Sequence, residues 1–170
     1  IGSENYGTET GGYGIFIQNT TAHFVIKNCV VQKYLFGIGF SNVRNGKIYN
    51  VTLYDNGIGI LLMRADFNNI SSNKIYNNKG GILLINSLGN IITSNDVYNN
   101  SRGGIALEGY SSNNKIYLNN FNNPQNVYLE THYKNFWNSS EKLTYVYDGK
   151  TFENYLGNYW GDYRRNDSDG

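Results

Sequence analysis

Residues 81–107 read GILLINSLGNIITSNDVYNNSRGGIAL, and this stretch contains one structural unit and the start of the next. The unit opens with a glycine followed by two apolar residues at alternate positions, and the same opening returns at Gly104. Between the two openings a second apolar pair, Ile92 and Val97, flanks Asn95. Short segments of alternating apolar and polar residues predict β-strands that are separated by tight turns.

The same opening recurs along most of the chain. Six copies begin at Gly14, Gly37, Gly57, Gly81, Gly104 and Asn126, with spacings of 23, 20, 24, 23 and 22 residues. A period of this length is typical of a solenoid that is built from one supersecondary unit per repeat. The alignment predicts one inward stack that consists of Ile15, Ile38, Ile58, Ile82, Ile105 and Val127.

Leucine-rich repeats and parallel β-helices both have this period, and the second half of the unit distinguishes them. It reads Ile-Tyr-Asn-Asn at 75–78, which favours strands and turns and contains no strong helix former. The sequence therefore predicts an all-β fold, a right-handed parallel β-helix with coils of about 22 residues. Asn73, Asn95 and Asn119 are predicted to form a hydrogen-bonded ladder while their own backbones turn left-handed, although they could also be simple turn formers.

Composition excludes several classes of function. The chain has 170 residues, 39% of them hydrophobic, and a formal net charge of +1. A balanced charge provides no field that would attract nucleic acid or an anionic membrane surface, and no apolar stretch is long enough to cross a bilayer. Cys29 is the only cysteine, so neither a disulfide framework nor a cysteine-rich metal site is expected.

The repeats and the C-terminal tail together resemble a known family. The Gly-Ile-x-Leu and Asn-x-Ile/Val-Tyr-x-Asn units of 14–132 are followed by NFWNS at 135–139, YVYDG at 145–149 and YLGNYWGDY at 155–163. These motifs resemble the NosD-like, pectin-lyase-like parallel β-helix repeat family, and the tail is similar to that of cell-surface members from methanogenic archaea. The resemblance implies an extracellular, cell-surface location and says little about chemistry.

The pattern divides the chain into three parts. Residues 1–13 are expected to form an N-terminal cap segment, 14–132 the β-helix repeats, and 133–170 a C-terminal hairpin and aromatic cap. Within the tail, Asp148-Gly149 predicts a type I′ turn between two short strands. An aromatic cluster is expected to cover the last coil, and its members are Trp137, Tyr155, Tyr159, Trp160 and Tyr163.

Two groups of side chains are candidates for binding. Tyr54, Tyr76 and Tyr98 each follow an inward residue, so they are expected to stack on an outer face, about 4.8 Å apart. Tyr49 and Tyr117 extend a neighbouring face. Such rings suit sugar stacking or lateral protein contacts, and they could also be ordinary residues of a solvated strand.

One candidate catalytic constellation emerges from the alignment. It places Gln18, Ser41, Leu61, Ile85, Glu108 and Glu130 in one column. Glu108 and Glu130 thus fall on adjacent coils, with Arg102 and His132 near them in sequence. Paired carboxylates are what glycoside hydrolysis requires, whereas a solvated strand end is the alternative interpretation.

Metal sites are not expected within the repeats. The name of the family implies copper, yet the possible soft or imidazole ligands are scattered among His23, Cys29, Met63 and His132. In the relatives the tail continues into a stretch that resembles a calcium loop. Here it offers only Asp167 and Asp169, which are weak candidates for calcium at the C-terminal end.

The sequence supports two hypotheses about function. The leading hypothesis is a non-catalytic extracellular module of a cell surface, sheath or filament, with structural or adhesive roles and a surface polysaccharide or copies of itself as partners. Because coil ends are templates for further strands, a head-to-tail oligomer or an N-terminal continuation of the chain is expected. The alternative is a polysaccharide hydrolase or lyase that uses Glu108 and Glu130.

Overall fold

The chain winds into a parallel β-helix with three long sheets. The computed structural model describes residues 10–130 and 132–161, and this part of the chain contains 19 strands and no helix. Sheet A comprises β1 (Thr10–Thr20), β4 (Tyr34–Val43), β7 (Ile58–Met63), β10 (Gly80–Ile85), β13 (Gly103–Glu108) and β16 (Val127–Leu129). Sheet B comprises β2 (Phe24–Lys27), β5 (Gly46–Tyr49), β8 (Asn69–Ser71), β11 (Ile91–Thr93) and β14 (Lys115–Tyr117).

Sheet C completes each coil. It comprises β3 (Val30–Gln32), β6 (Thr52–Tyr54), β9 (Lys74–Tyr76), β12 (Asp96–Tyr98), β15 (Asn120–Asn122) and β19 (Tyr159–Trp160). The chain passes from sheet A to B to C in every coil, and each strand pairs in parallel with its counterpart one coil away. The predicted all-β parallel β-helix is thereby confirmed, with a repeat of about 22 residues.

The core is a set of inward stacks, and the strands of sheet A contribute to two of them, for example through Ile60 and Leu62. In sheet A one stack runs Ile15, Ile38, Ile60, Ile82, Ile105 and Val127. Ile38, Ile60 and Ile82 are essentially inaccessible to solvent. Burial of one such side chain stabilises the fold by about 2 kcal/mol.

The predicted position of Ile58 in this stack is wrong. Ile58 pairs with Phe36 and is half-exposed, while Ile60 takes the inward place. The reason is that Gly59, and not Gly57, is the repeat glycine of this coil. A Cβ atom at Gly59 would lie 2.8 Å from the carbonyl oxygen of Gly81 in the next coil, so only glycine allows the coils to approach there.

Three asparagine ladders run through the corners of the coils. Their members are Asn56, Asn78, Asn100, Asn123 and Asn126 in the first ladder, Asn68, Asn90, Asn114 and Asn135 in the second, and Asn73, Asn95, Asn119 and Asn158 in the third. In each ladder the Nδ2 atom of one residue donates to the Oδ1 atom of the next at 2.9–3.2 Å. The predicted ladder is the third of these, and two more exist.

The left-handed turn does not fall on the ladder residues themselves. It falls on the residue before nine of the thirteen, such as Ser72 before Asn73 and Ser94 before Asn95, with φ of 56° and 57°. This division differs from the prediction, in which one asparagine served both purposes. The buried amide consequently faces the core, where it bonds to the ladder amide of the next coil.

The C-terminal tail adds a further partial coil. Asn135 and Asn158 extend two of the ladders, and β19 pairs in parallel with β15. A hairpin of β17 (Leu143–Tyr147) and β18 (Lys150–Asn154) interrupts this coil. Asp148 and Gly149 both have positive φ, 49° and 70°, which confirms the type I′ turn.

Two tryptophans cover the last coil. The ring of Trp160 stacks on that of Phe121, with centroids 5.1 Å apart, and Trp137 packs against Trp160. Tyr155 and Tyr159 are more than half exposed, so their predicted places in the cap are wrong. The strand alternation explains this for Tyr159, because Trp160 takes the inward position beside it. Tyr163 lies outside the described residues.

The N-terminal end is less completely buried. Strand β1 begins at Thr10, and the ring of Tyr13 stacks on Phe16 and Phe36 outside sheet A. The inward residues Ile15 and Ile17 remain half-exposed in the described part of the chain. The first nine residues of the predicted N-terminal cap segment lie outside that part.

Candidate functional site

The predicted tyrosine ladder exists and lies on the outside of sheet C. Tyr54, Tyr76 and Tyr98 are the last residues of β6, β9 and β12, which pair in register. Ring centroids are 5.3 and 5.2 Å apart, and the planes differ by 11° and 5°. Since identical strand positions are stacked coil by coil, the sequence repeat alone aligns these rings.

The stacking determines which part of each ring faces solvent. The ring faces cover one another, so the ladder exposes ring edges and phenol hydroxyl groups. Lys74 adds a cation, with its Nζ atom 5.6 Å from the ring centroid of Tyr76 and 5.8 Å from that of Tyr98. The ladder therefore offers a row of hydroxyl groups rather than flat apolar platforms.

Tyr49 and Tyr117 do not join the ladder. They occupy one outer column of sheet B, where Ser71 and Thr93 separate them. Lys47 places its Nζ atom 4.8 Å from the ring centroid of Tyr49. The two rings are three coils apart, roughly 14 Å, and form no continuous surface.

Glu108 and Glu130 do lie on adjacent coils at the end of sheet A. Strands β13 and β16 pair in register up to Leu107 and Leu129, and the backbone N–H of Glu130 donates to the carbonyl oxygen of Leu107 at 3.0 Å. The Oε2 atom of Glu130 accepts a hydrogen bond of 2.7 Å from the backbone of Gly109. Burial, and then the charge of Glu130, raise the pKa of Glu108.

The rest of the predicted column needs one correction. Ser41 pairs with Met63, and Met63 pairs with Ile85, so Met63 stands where Leu61 was predicted. Leu61 instead faces outward between Gly39 and Leu83. This error has the same origin as the misplacement of Ile58, namely the choice of Gly57 as the repeat glycine.

A groove of about 270 Å³ lies beside the carboxylate pair on the outer face of sheet A. Gly80 and Gly103 remove two successive side chains from one outer column and so deepen the groove between Ile58 and Gln125. Its other lining residues include Lys79, Leu83, Arg102, Ala106, Tyr128, Glu108 and Glu130. Arg102 lines the same groove as the two carboxylates, while His132 does not line it.

A second, polar groove of about 750 Å³ follows the corner between sheets C and A. Asp55, Asn77 and Asn99 occupy equivalent left-handed positions there, each directly after a ladder tyrosine. Lys33 and Lys79 also line it. The sequence interpretation missed this groove, although the recurrence of a polar residue after Tyr54, Tyr76 and Tyr98 was its signal.

These features define the class of protein: a parallel β-helix repeat protein whose outer surfaces repeat from coil to coil. The sequence profile of a family described as "Periplasmic copper-binding protein (NosD)" matches residues 3–165. The chain belongs to this NosD family. Searches of curated proteins and of solved structures found no match. Among the described residues no helix is long and apolar enough to cross a membrane.

The described residues do not offer a set of ligands for the copper in the description of the family. His23 and Cys29 lie at opposite ends of β2, Met63 ends β7 two coils away, and His132 follows β16. In residues 10–130 and 132–161 no three histidine, cysteine, aspartate or glutamate side chains converge on a possible metal position. The calcium candidates Asp167 and Asp169 lie outside these residues.

Proposed function

We propose that this chain is a non-catalytic structural or adhesive module that acts outside the cytoplasm and binds a repetitive partner. The observation that carries the proposal is the tyrosine ladder, in which the same side chain recurs at the same position on three successive coils. A surface that repeats every ~4.8 Å along a rigid rod matches a partner that also repeats. Surface polysaccharides and further copies of this chain are both of that kind.

The family supports the location. The family description names NosD as a periplasmic protein. A module in the periplasm or on the cell surface is in direct contact with cell-wall and surface polymers. The neighbouring polar groove extends the binding surface, because the amides of Asn77 and Asn99 and the carboxylate of Asp55 can bond to hydroxyl groups. In this proposal the phenol hydroxyl groups supply hydrogen bonds, and stacking on ring faces is secondary.

Affinity electrophoresis against a panel of surface polysaccharides tests the adhesive role. Retardation of the wild-type chain by at least one polymer is expected, and Tyr76→Ser should weaken it about tenfold because the central hydroxyl group and both ring stacks disappear. Tyr147→Ser changes an exposed tyrosine of the hairpin and is the matched control. Equal retardation of both variants and the wild type would show that the ladder is not part of the binding surface.

A polysaccharide hydrolase or lyase is the second candidate. It is favoured by one observation, the half-buried Glu108 with a raised pKa beside Glu130 at the edge of a groove. A carboxylic acid that keeps its proton to higher pH is suited to protonate a leaving group while its neighbour stays ionised. Release of reducing ends or unsaturated sugars by the wild type, lost in Glu108→Gln, would establish this activity.

A further inference from the structure

The outer face of sheet C carries opposite charges at its centre. Six strands form this sheet, in the order β19, β15, β12, β9, β6 and β3, so its midpoint lies between β9 and β12. Lys74 and Asp96 are paired neighbours on either side of that midpoint, and both are exposed. Beside them lie Tyr76 and Tyr98, the two most parallel rings of the ladder.

Neither charge forms an ion pair within the described part of the chain. The Nζ atom of Lys74 lies over the two rings, and the Oδ1 atom of Asp96 accepts only a long hydrogen bond, 3.4 Å, from Asn120. Both groups are therefore available to a partner. A partner that fits must offer an anion opposite Lys74 and a cation opposite Asp96.

We propose that a second copy of this chain is that partner, and that the two copies pair through the outer faces of sheet C with their coil axes antiparallel. The two-fold axis lies between the faces, runs along the strands and passes between β9 and β12. It places Lys74 of each copy opposite Asp96 of the other, and Tyr76 opposite Tyr98. The phenol hydroxyl groups, which both donate and accept, can then bond across the interface. The pairing is one form of the proposed structural role and rests on it.

The same axis opposes three further pairs of positions on the face. The other opposed pairs are Val30 with Tyr159, Thr52 with Asn120, and Tyr54 with Asn122. Val30 and Tyr159, at opposite ends of the sheet, are 60% and 66% exposed and would cover each other. Apolar residues thus meet apolar ones, and neutral polar residues meet polar ones or a tyrosine hydroxyl group.

The other possible two-fold arrangement is less favourable. With an axis parallel to the coils, each coil would face its own copy with the strand direction reversed, so Lys74 would meet Tyr76 and Asp96 would meet Tyr98. That arrangement forms no ion pair between the two copies and leaves both charges uncompensated, which makes it the weaker of the two. The charge order along the sheet therefore selects the antiparallel pair and stops association at a dimer, because an isologous contact closes on itself.

The size of the face sets the strength of the dimer. Six strands of about three residues span roughly 25 Å by 10 Å, well below the ~800 Å² per partner that a stable interface buries. Association is therefore expected to be weak, in about the micromolar to millimolar range. Sedimentation equilibrium over a wide range of concentration is the appropriate measurement.

Charge reversal provides the test. Lys74→Glu and Asp96→Lys should each raise the dimer dissociation constant about tenfold or more, because each places like charges opposite each other at two symmetric points. An equimolar mixture of the two variants should restore association, since the mixed pair matches glutamate with lysine and Asp96 with Lys74. Lys142→Glu, an exposed change in the tail, should leave the constant unchanged.

The outcomes separate the pairing from the proposed function. A wild-type chain that stays monomeric at millimolar concentration overturns the dimer, and so does a mixture of Lys74→Glu and Asp96→Lys that associates no better than either variant alone. Polysaccharide retardation that survives in those variants would leave the adhesive role intact. A circular dichroism spectrum identical to that of the wild type excludes misfolding as the cause of lost association.

Discussion

Removal of one ladder amide is the most informative test of how the coils hold together. The side chain of Asn95 makes four hydrogen bonds inside the protein. Its Oδ1 atom accepts from the backbone N–H and the Nδ2 atom of Asn73, and its Nδ2 atom donates to the carbonyl oxygen of Ile70 and the Oδ1 atom of Asn119, all at 2.9 Å. Asn95→Ala removes all four.

The cost follows from the ladder bonds that are lost. The Nδ2 atom of Asn73 still donates to Ile48, and the Oδ1 atom of Asn119 still accepts from the backbone of residue 95. The N–H of Asn73 and the carbonyl of Ile70 would lose these ladder bonds inside the core. At about 1–3 kcal/mol for the orphaned N–H of Asn73 and about 0.5–1.5 kcal/mol for each of the three other lost bonds, Asn95→Ala should lower the free energy of unfolding by about 2–7 kcal/mol.

Urea denaturation followed by circular dichroism measures this loss. Asn138→Ala replaces an exposed asparagine of the tail and is the matched control, with an expected change within about 0.5 kcal/mol. Asn95→Asp should be at least as damaging as Asn95→Ala, because a buried carboxylate cannot donate to Ile70. If Asn95→Ala unfolded at the same urea concentration as Asn138→Ala, the ladders would contribute nothing to stability.

Three further changes test the core, the cap and the carboxylate pair. Ile82→Asp should abolish folding, since it places a charge in the middle of the inward stack; a cooperative thermal transition would contradict this. Trp160→Ala should cost about 2–3 kcal/mol in urea unfolding and expose the last coil to a hydrophobic dye, and unchanged dye binding would argue against a cap. Because the pKa of Glu108 is raised in the fold, its ionisation opposes folding, so stability from this group is present at low pH and declines as pH rises through the carboxyl range. The Tm of Glu108→Gln relative to that of the wild type should therefore increase as the pH is raised from about 3 to about 7. A Tm difference independent of pH would refute the raised pKa.

The period of the sequence predicted the fold because each coil must repeat its inward residues. Ile82 and Ile105 were placed correctly by the glycine that precedes each of them. The segment Gly57-Ile58-Gly59-Ile60 contains two candidate glycines, and the alignment took the first, although Gly59 gives spacings of 22 and 22 residues where Gly57 gives 20 and 24. The close approach of Gly59 to the next coil is the physical reason for its place in the repeat, and the more regular spacing was its signal in the sequence.

The tail illustrates why the remaining features were missed. Asn119 and Asn158 are ladder neighbours although 39 positions separate them, because the β17–β18 hairpin is inserted into the coil. An insertion of this length hides the period from any alignment of repeats. The orientation of the tyrosine rings in the ladder could not be predicted from the sequence either, because it depends on side-chain torsion angles that neighbouring coils determine together.

The two candidate functions are separated most directly by one assay in which binding and turnover are measured on the same samples. The wild-type chain is incubated with each polysaccharide of the panel, and the retained polymer and the released sugars are both quantified. We expect retention of at least one polymer without reducing ends or unsaturated products above the level of the protein-free control. Sugar release that disappears in both Glu108→Gln and Glu130→Gln would contradict the non-catalytic role and identify a polysaccharide-degrading enzyme.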